Sequence, residues 1–122
     1  RITSKSIEQN DSSGKLIEFP LLVTTFLGKK IPAAGGFYLR TLPTKVIKNA
    51  LKNYQNENIP GSFYIHSWEL TPEFMPKLDL PFKDKFVTYH NLDKAYPRMS
   101  ELLEIFEFTS FSRYIVENKM DT

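Results

Sequence analysis

The sequence has 122 residues, of which 41% are hydrophobic and 25% are charged, as expected for one globular domain. Sixteen Lys and Arg residues against fourteen Asp and Glu residues leave a net charge of +2. That charge is too small to indicate binding to nucleic acid or to an anionic membrane surface. The chain contains no Cys, which excludes disulfides and thiolate metal sites and leaves the compartment open, with the cytoplasm favoured.

The chain is predicted to hold a single domain between two short polar ends. No run of 18 apolar residues is present, so no transmembrane helix is predicted. Residues 1–14 lack the apolar core of a signal peptide. We therefore predict a flexible leader over 1–14, a single α/β domain over 15–118 and a tail over 119–122.

Two strands are predicted in the first third of the chain. Residues 16–19 form the first, which Pro20 closes. Residues 21–27 are apolar and β-branched, and they form the second strand, which ends at Gly28. Residues 32–36 follow as a loop of small residues, in which two glycines permit backbone conformations closed to other residues.

The middle of the chain predicts a helix and then a buried strand. Apolar residues recur at helical spacing over 43–57, and Pro43 suits the first turn. Residues 62–68 are rich in aromatic and β-branched side chains and predict a buried strand. Residues 69–85 contain three closely spaced prolines and are predicted to be irregular, because Pro removes backbone donors.

The last third of the chain predicts two helices with a short strand between them. An apolar stripe over 92–106 predicts a helix that Asp93 caps. Residues 106–109 alternate as a strand does, and a closing helix is then capped by Ser110 or Ser112. Helices and strands alternate in this half, which favours an α/β fold with short strands and about three helices.

His66 is the most informative candidate for chemistry. The other His in the chain, His90, is 24 positions away, and neither has a partner at the spacing of a metal site. His66 lies near the end of the predicted strand, where functional side chains of α/β barrels cluster, and an imidazole can move a proton near neutral pH. The alternative is a partly buried His satisfied by a backbone carbonyl, and position alone favours that alternative.

Several segments between residues 14 and 115 also carry a resemblance, in order and at similar spacing. The most specific is FYIHSWEL over 63–70, preceded by weaker segments at 16–20, 27–32 and 35–43. Together they resemble the C-terminal extension of a bacterial and archaeal branch of the polysaccharide deacetylases, the NodB-homology or carbohydrate esterase family 4 group. Genes of that branch often lie in exosortase and exopolysaccharide loci. The family pattern has Pro where this chain has Ser67.

The resemblance implies a fold and an activity. Family members are distorted (β/α) barrels that remove N-acetyl groups from the amino sugars of a polymer, so this chain would be the C-terminal portion of such a barrel. An Asp and two His bind zinc or another divalent metal, a second Asp acts as base, and a late-strand His acts as general acid. Ile65-His66 matches that late motif, so the resemblance assigns the acid role to His66.

This chain also departs from the family pattern. It lacks the Thr-Phe-Asp-Asp segment and the HxxxH pair, so the resemblance implies no cofactor in this chain and a metal in the parent enzyme. The missing N-terminal catalytic portion would precede Arg1, and we expect this chain alone to be inactive. The predicted partners are that portion and an N-acetylated polysaccharide. Unpaired strand edges also favour self-association into a homo-oligomer.

Three further residues are candidates for binding substrate, and each has a structural alternative. Arg40, beside Tyr38, could hold a sugar hydroxyl or carboxylate through its planar fork, although packing on its own protein is favoured. Trp68 could stack on a sugar ring or belong to the core. Glu69 could orient His66 or face solvent, and solvent is favoured.

Two other classes of function stay open at this point. A non-catalytic module that binds glycan or protein predicts exposed, aligned aromatic side chains. A structural extension would complete the barrel and gate its cleft. An enzyme segment instead predicts that His66 is exposed at a cleft beside an unpaired sheet edge.

Overall fold

The computed structural model describes residues 7–11 and 14–120, with side chains from residue 17 onward. This part of the chain contains four strands and six α-helices. They are β1 (Ile7–Asp11), β2 (Gly14–Glu18), β3 (Val23–Phe26), β4 (Lys29–Pro32), α1 (Gly36–Thr41), α2 (Thr44–Asn56), α3 (Ser67–Leu70), α4 (Phe82–Tyr89), α5 (Ala95–Ile105) and α6 (Phe111–Glu117).

The strands form two separate antiparallel hairpins. β1 pairs with β2, and β3 pairs with β4 through a two-residue turn at Leu27 and Gly28. Both turn residues have positive φ, 49° and 75°, as the tight turn that matches strand twist requires. The mixed α/β class is therefore confirmed. In the described residues the strands form two small sheets, and the prediction of about three helices was wrong.

The hydrophobic core lies between α2, α5 and the segments that flank β3 and β4. α2 confirms the predicted helix over 43–57 and buries its apolar face. Tyr54 at the end of that face also accepts a hydrogen bond from the backbone N–H of Val23, at 3.0 Å. The fully buried apolar side chains of this core are Leu22, Ala33, Ala34, Leu39, Ile47 and Leu102.

The predicted buried strand over 62–68 was wrong, and backbone pairing explains why. Ser62 makes only an isolated parallel bridge with Leu21. Two residues later, the N–H of Tyr64 donates to the carbonyl of Ala34 at 2.8 Å. The segment therefore crosses two different loops in an extended conformation without a continuous ladder, and α3 begins at Ser67.

The other differences fall at prolines and at element ends. α4 begins directly after Pro81, inside the region predicted to be irregular. Residues 106–109 form no strand, and α5 begins at Ala95 after a 3₁₀ turn, so Asp93 is not its N-cap. Ser110 does cap α6, since its hydroxyl accepts from the Arg113 N–H at 3.3 Å.

The predicted leader is only partly described. Residues 7–11 within it form β1, whereas residues 1–6 and 12–13 lie outside the described residues, as do 121–122 of the predicted tail. The division into leader, domain and tail stays a prediction. Among the helices that the structure describes, none has the length and apolar character needed to cross a membrane.

Candidate functional site

His66 is exposed at the start of α3. It is the N-cap residue of that helix, in an extended backbone conformation, and its side chain is 57% exposed. Its ring stacks on the indole of Trp68, with 5.6 Å between centroids and 19° between planes. The ring of Tyr64 meets it edge-on at 5.7 Å. Two aromatic neighbours therefore limit the rotation of an imidazole that still reaches solvent.

Glu69 fixes the inner side of the His66 ring. Its carboxylate is 2% exposed, and Oε2 accepts from the His66 backbone N–H at 3.1 Å. The same oxygen lies 3.0 Å from His66 Nδ1. Because an ionised carboxylate only accepts, Nδ1 carries the hydrogen and Nε2 is the nitrogen left for other partners. The sequence expectation that Glu69 faces solvent was wrong.

Arg40 balances the buried carboxylate. Its side chain is 1% exposed, and its Nε and Nη2 atoms donate to Glu69 Oε1 at 3.0 and 2.9 Å. Charge pairing of this kind makes a buried carboxylate tolerable. We call Arg40, Glu69 and His66 the Arg40–Glu69–His66 triad.

The remaining Arg40 donors reach the end of α4. Nη2 donates to the carbonyl of Val87 at 3.0 Å, and Nη1 donates to the carbonyls of His90 and, at 3.5 Å, Thr88. All five guanidinium donors are thus in use. The rings of Phe37 and Trp68 lie 5.9 Å from the guanidinium carbon, within cation–π range.

The backbone of Arg40 is held as firmly as its side chain. Arg98 Nη1 donates to the carbonyls of Leu39, Arg40 and Leu42, at 2.7, 3.0 and 3.1 Å. Asn91 Nδ2 also donates to the Arg40 carbonyl at 3.1 Å. These contacts give partners to the Leu39 and Arg40 carbonyls in the last turn of α1 and to the Leu42 carbonyl just after it, where a helix end leaves carbonyls without intrahelical partners.

Two glycines leave the space that Glu69 and Tyr64 occupy. A Cβ atom on Gly36 would lie 2.0 Å from Glu69 Oε2, and one on Gly35 would lie 2.6 Å from the Tyr64 hydroxyl. From the sequence, backbone freedom was the expected reason for this pair of glycines. The structure gives a steric reason, because a side chain at residue 36 would displace the carboxylate.

The predicted site residues fall into two groups. His66, Trp68 and Arg40 lie together around Glu69. Tyr38 is half-buried against the core, and among the described residues no hydrogen bond, ion pair or ring contact joins its side chain to the triad. The substrate-binding roles of Arg40, Trp68 and Tyr38 stay predictions, although the burial of Arg40 favours the structural alternative.

The sequence offered Glu69 as a residue that could orient His66, but exposure to solvent was favoured, and the contacts of Arg40 with α4 and Arg98 were not predicted. Glu69 stands three residues after an N-cap, the spacing of a capping box, and that signal could have shown that it bonds back to residue 66. The contacts of Arg40 with α4 and with Arg98 join residues 47 to 58 positions apart. No local sequence signal predicts contacts of that separation.

The described residues do not fit a metal site by themselves. Within residues 7–11 and 14–120, no three His, Asp or Glu side chains are grouped so that they could hold an ion. Glu69, the one buried carboxylate among residues 17–120, is already paired with Arg40.

Comparison with known proteins assigns the chain to a family. No curated protein and no solved structure shows a significant match. One family model does match, over residues 2–116, and its description is "Domain of unknown function (DUF3473)". That match covers nearly the whole chain, including all three members of the triad, and the chain therefore belongs to the DUF3473 family.

Proposed function

We propose that this chain is the C-terminal segment of a metal-dependent polysaccharide deacetylase, and that His66 is its general acid. The substrate class is a polymer that contains N-acetyl amino sugars. The observation that carries the proposal is the placement of His66, an exposed imidazole whose Nδ1 lies 3.0 Å from an oxygen of a buried carboxylate. Its Nε2 atom is left to face a substrate.

Amide hydrolysis needs a proton donor beside the leaving nitrogen, and an exposed imidazole of this kind can take that role. In amide hydrolysis the oxygen of water bonds to the acetyl carbon, the C–N bond breaks, and acetate and a free amine form. The departing nitrogen is a poor leaving group unless it gains a proton as the bond breaks. A protonated His66 gives that proton from Nε2 and keeps the Nδ1–H bond to Glu69 throughout.

The remaining machinery is assigned by the family resemblance to the portion before residue 1. That portion would supply the metal, zinc or another divalent ion, together with the Asp that acts as base on water. The proposal also includes the finer fold, in which this chain forms the C-terminal part of a distorted (β/α) barrel. Within it, Trp68 holds one face of the His66 ring, and Tyr38 and Trp68 remain candidates for contact with the sugar.

The test compares the longer deacetylase with this chain alone. In the longer protein, His66→Ala is expected to lower the deacetylation of N-acetylated oligosaccharides by about 10²–10⁴-fold, the usual contribution of general acid–base catalysis. Full activity in that variant would refute the role of His66. This chain alone, with added zinc, is expected to be inactive. Activity of this chain that disappears with His66→Ala would refute its assignment as an incomplete segment.

A second candidate is a non-catalytic glycan- or protein-binding module. The observation that favours it is a set of exposed aromatic rings, with Tyr64 46%, Phe74 80% and Phe82 83% exposed. Titration of the same oligosaccharides into this chain, followed by ¹H–¹⁵N NMR, separates the two functions. A module predicts saturable shifts that His66→Ala leaves intact and Phe82→Ala removes.

A further inference from the structure

We propose that Glu69 and Arg40 are positioning residues that fix the tautomer of His66 and tie its orientation to the C-terminal end of α4. This inference deepens the proposed function and rests on it for its catalytic meaning. The arrangement itself can be measured in the isolated chain. It differs from a role in binding substrate, because neither side chain is exposed by more than 2%.

The tautomer follows from the donors and acceptors around Glu69. Oε2 accepts from both the backbone N–H and the Nδ1 atom of His66. A neutral imidazole carries one hydrogen, and only the form with hydrogen on Nδ1 makes a bond to a carboxylate. Protonation adds the second hydrogen at Nε2 and leaves the Glu69 bond in place. The ring can therefore gain and lose a proton at the solvent side without reorienting.

Arg40 extends this arrangement to a second element. Oε1 of Glu69 accepts from two guanidinium donors, which fix the position of that oxygen. The other donors bind carbonyls of Val87 and His90 at the end of α4, where a cation is also favoured by the helix dipole. A shift of the end of α4 would move the guanidinium, the carboxylate and then the imidazole.

A single isosteric change tests the first link. Glu69→Gln replaces one carboxylate oxygen by an NH₂ group that only donates. The two Arg40 donors at Oε1 require an acceptor, so the amide NH₂ is expected to face His66. An NH₂ group in that place opposes a hydrogen on Nδ1 and bonds to a bare Nδ1. Neutral His66 is then expected to change to the form with hydrogen on Nε2.

The measurement is long-range ¹H–¹⁵N NMR of the imidazole rings above the pH at which they lose their charge. The chain has only two His, so His66→Ala assigns both rings. In the unmodified chain, Nδ1 of His66 is expected at the shift of a protonated nitrogen and Nε2 at that of a bare one. Glu69→Gln is expected to exchange the two, while His90 keeps its shifts.

The matched control is Glu101→Gln, the same chemical change in a carboxylate that pairs with Lys48 and is 45% exposed. It is expected to leave both rings unchanged. A bare Nδ1 in the unmodified chain would by itself overturn the inference. The inference therefore remains testable even if the Glu69→Gln chain fails to fold. Unchanged His66 shifts in a folded Glu69→Gln chain would overturn it as well.

Arg40→Lys tests the link to α4. A lysine ammonium has three donors from one atom and cannot span Glu69 and the α4 carbonyls as a guanidinium does. We expect amide exchange over the last turn of α4 to increase by about tenfold, with His66 populating both tautomers. If amide exchange in α4 became faster while the tautomer of His66 stayed the same, the end of α4 and the His66 ring would be independent, and the link through Arg40 would be refuted.

The two proposals can fail separately. If the tautomer of His66 is as inferred but the longer protein keeps full activity with His66→Ala, the positioning stands and the acid role falls. If His66 is essential but Nδ1 is bare, the acid role stands and Glu69 is not its positioning residue.

Discussion

Gly36 lies against the Glu69 carboxylate, so adding one methyl group there perturbs the triad from a position outside it. A Cβ on residue 36 would lie 2.0 Å from Oε2 and 2.3 Å from Oε1, and real Cβ contacts are essentially never shorter than 3.0 Å. The carboxylate must therefore move by about 1 Å. Hydrogen bonds of 2.9 to 3.1 Å to Arg40 and His66 would then lengthen to about 4 Å, which is too long to hold.

The expected cost of Gly36→Ala follows from what that movement breaks. Losing the partner of a buried charge costs about 3–5 kcal/mol. Ala within a helix recovers about 0.5–1 kcal/mol relative to Gly. We therefore expect a net loss of about 2–4 kcal/mol in the free energy of unfolding, measured by urea titration. Trp68, the one Trp of the chain, gives the fluorescence signal next to the triad.

Two control variants make this prediction specific to the contact between residue 36 and Glu69. Gly35→Ala adds the same methyl group one residue earlier, where it meets only the hydroxyl end of the half-exposed Tyr64, and it is expected to cost less than about 1 kcal/mol. In a Glu69→Ala background the obstruction is gone, so Gly36→Ala should cost little. A neutral or stabilising Gly36→Ala in the unmodified chain would refute the reasoning, because helix propensity alone predicts stabilisation.

Two further predictions concern the framework of the fold. Leu102→Ala opens a cavity in the core and is expected to lower the free energy of unfolding in urea by about 2–5 kcal/mol. Leu103→Ala, at a half-exposed neighbour, should lower it much less. Equal losses would contradict the placement of α5. Ser110→Ala removes the cap of α6 and is expected to lower the free energy of unfolding by about 1 kcal/mol. Ser112→Ala should leave it nearly unchanged. The reverse order would place the cap at Ser112.

The elements that the sequence predicts well are those decided by local pattern. The helical spacing over 43–57 and the apolar run before Gly28 both correspond to observed elements, α2 and β3. Those patterns depend on neighbours within a few residues. The periodicity of side chains is enough to place such elements without knowledge of the rest of the chain.

The failures arise where distant partners decide the structure. Residues 62–68 have strand composition, but a strand also needs a continuous partner, and Leu21 and Ala34 offer single contacts from two different loops. Glu69 looked exposed because a lone Glu usually is, and its burial depends on an Arg 29 residues earlier. His66 was singled out because its motif is local; its bond to Glu69 is local as well, whereas the contacts of Arg40 that bury Glu69 are not.

The contacts that hold α1 have a consequence for how the site comes into existence. Arg98 binds the carbonyls of Leu39, Arg40 and Leu42, which lie 56 to 59 residues earlier in the chain. The guanidinium of Arg40 in turn binds carbonyls at the end of α4. Contacts between such distant residues carry a loop-closure cost in entropy and slow folding. A chain ending before α5 would contain His66, Glu69, Arg40 and the end of α4, but it would lack Arg98, which holds the backbone of Arg40. The orientation of the imidazole is thus linked to α5 only indirectly, through Glu69, the Arg40 side chain and the Arg40 backbone that Arg98 holds.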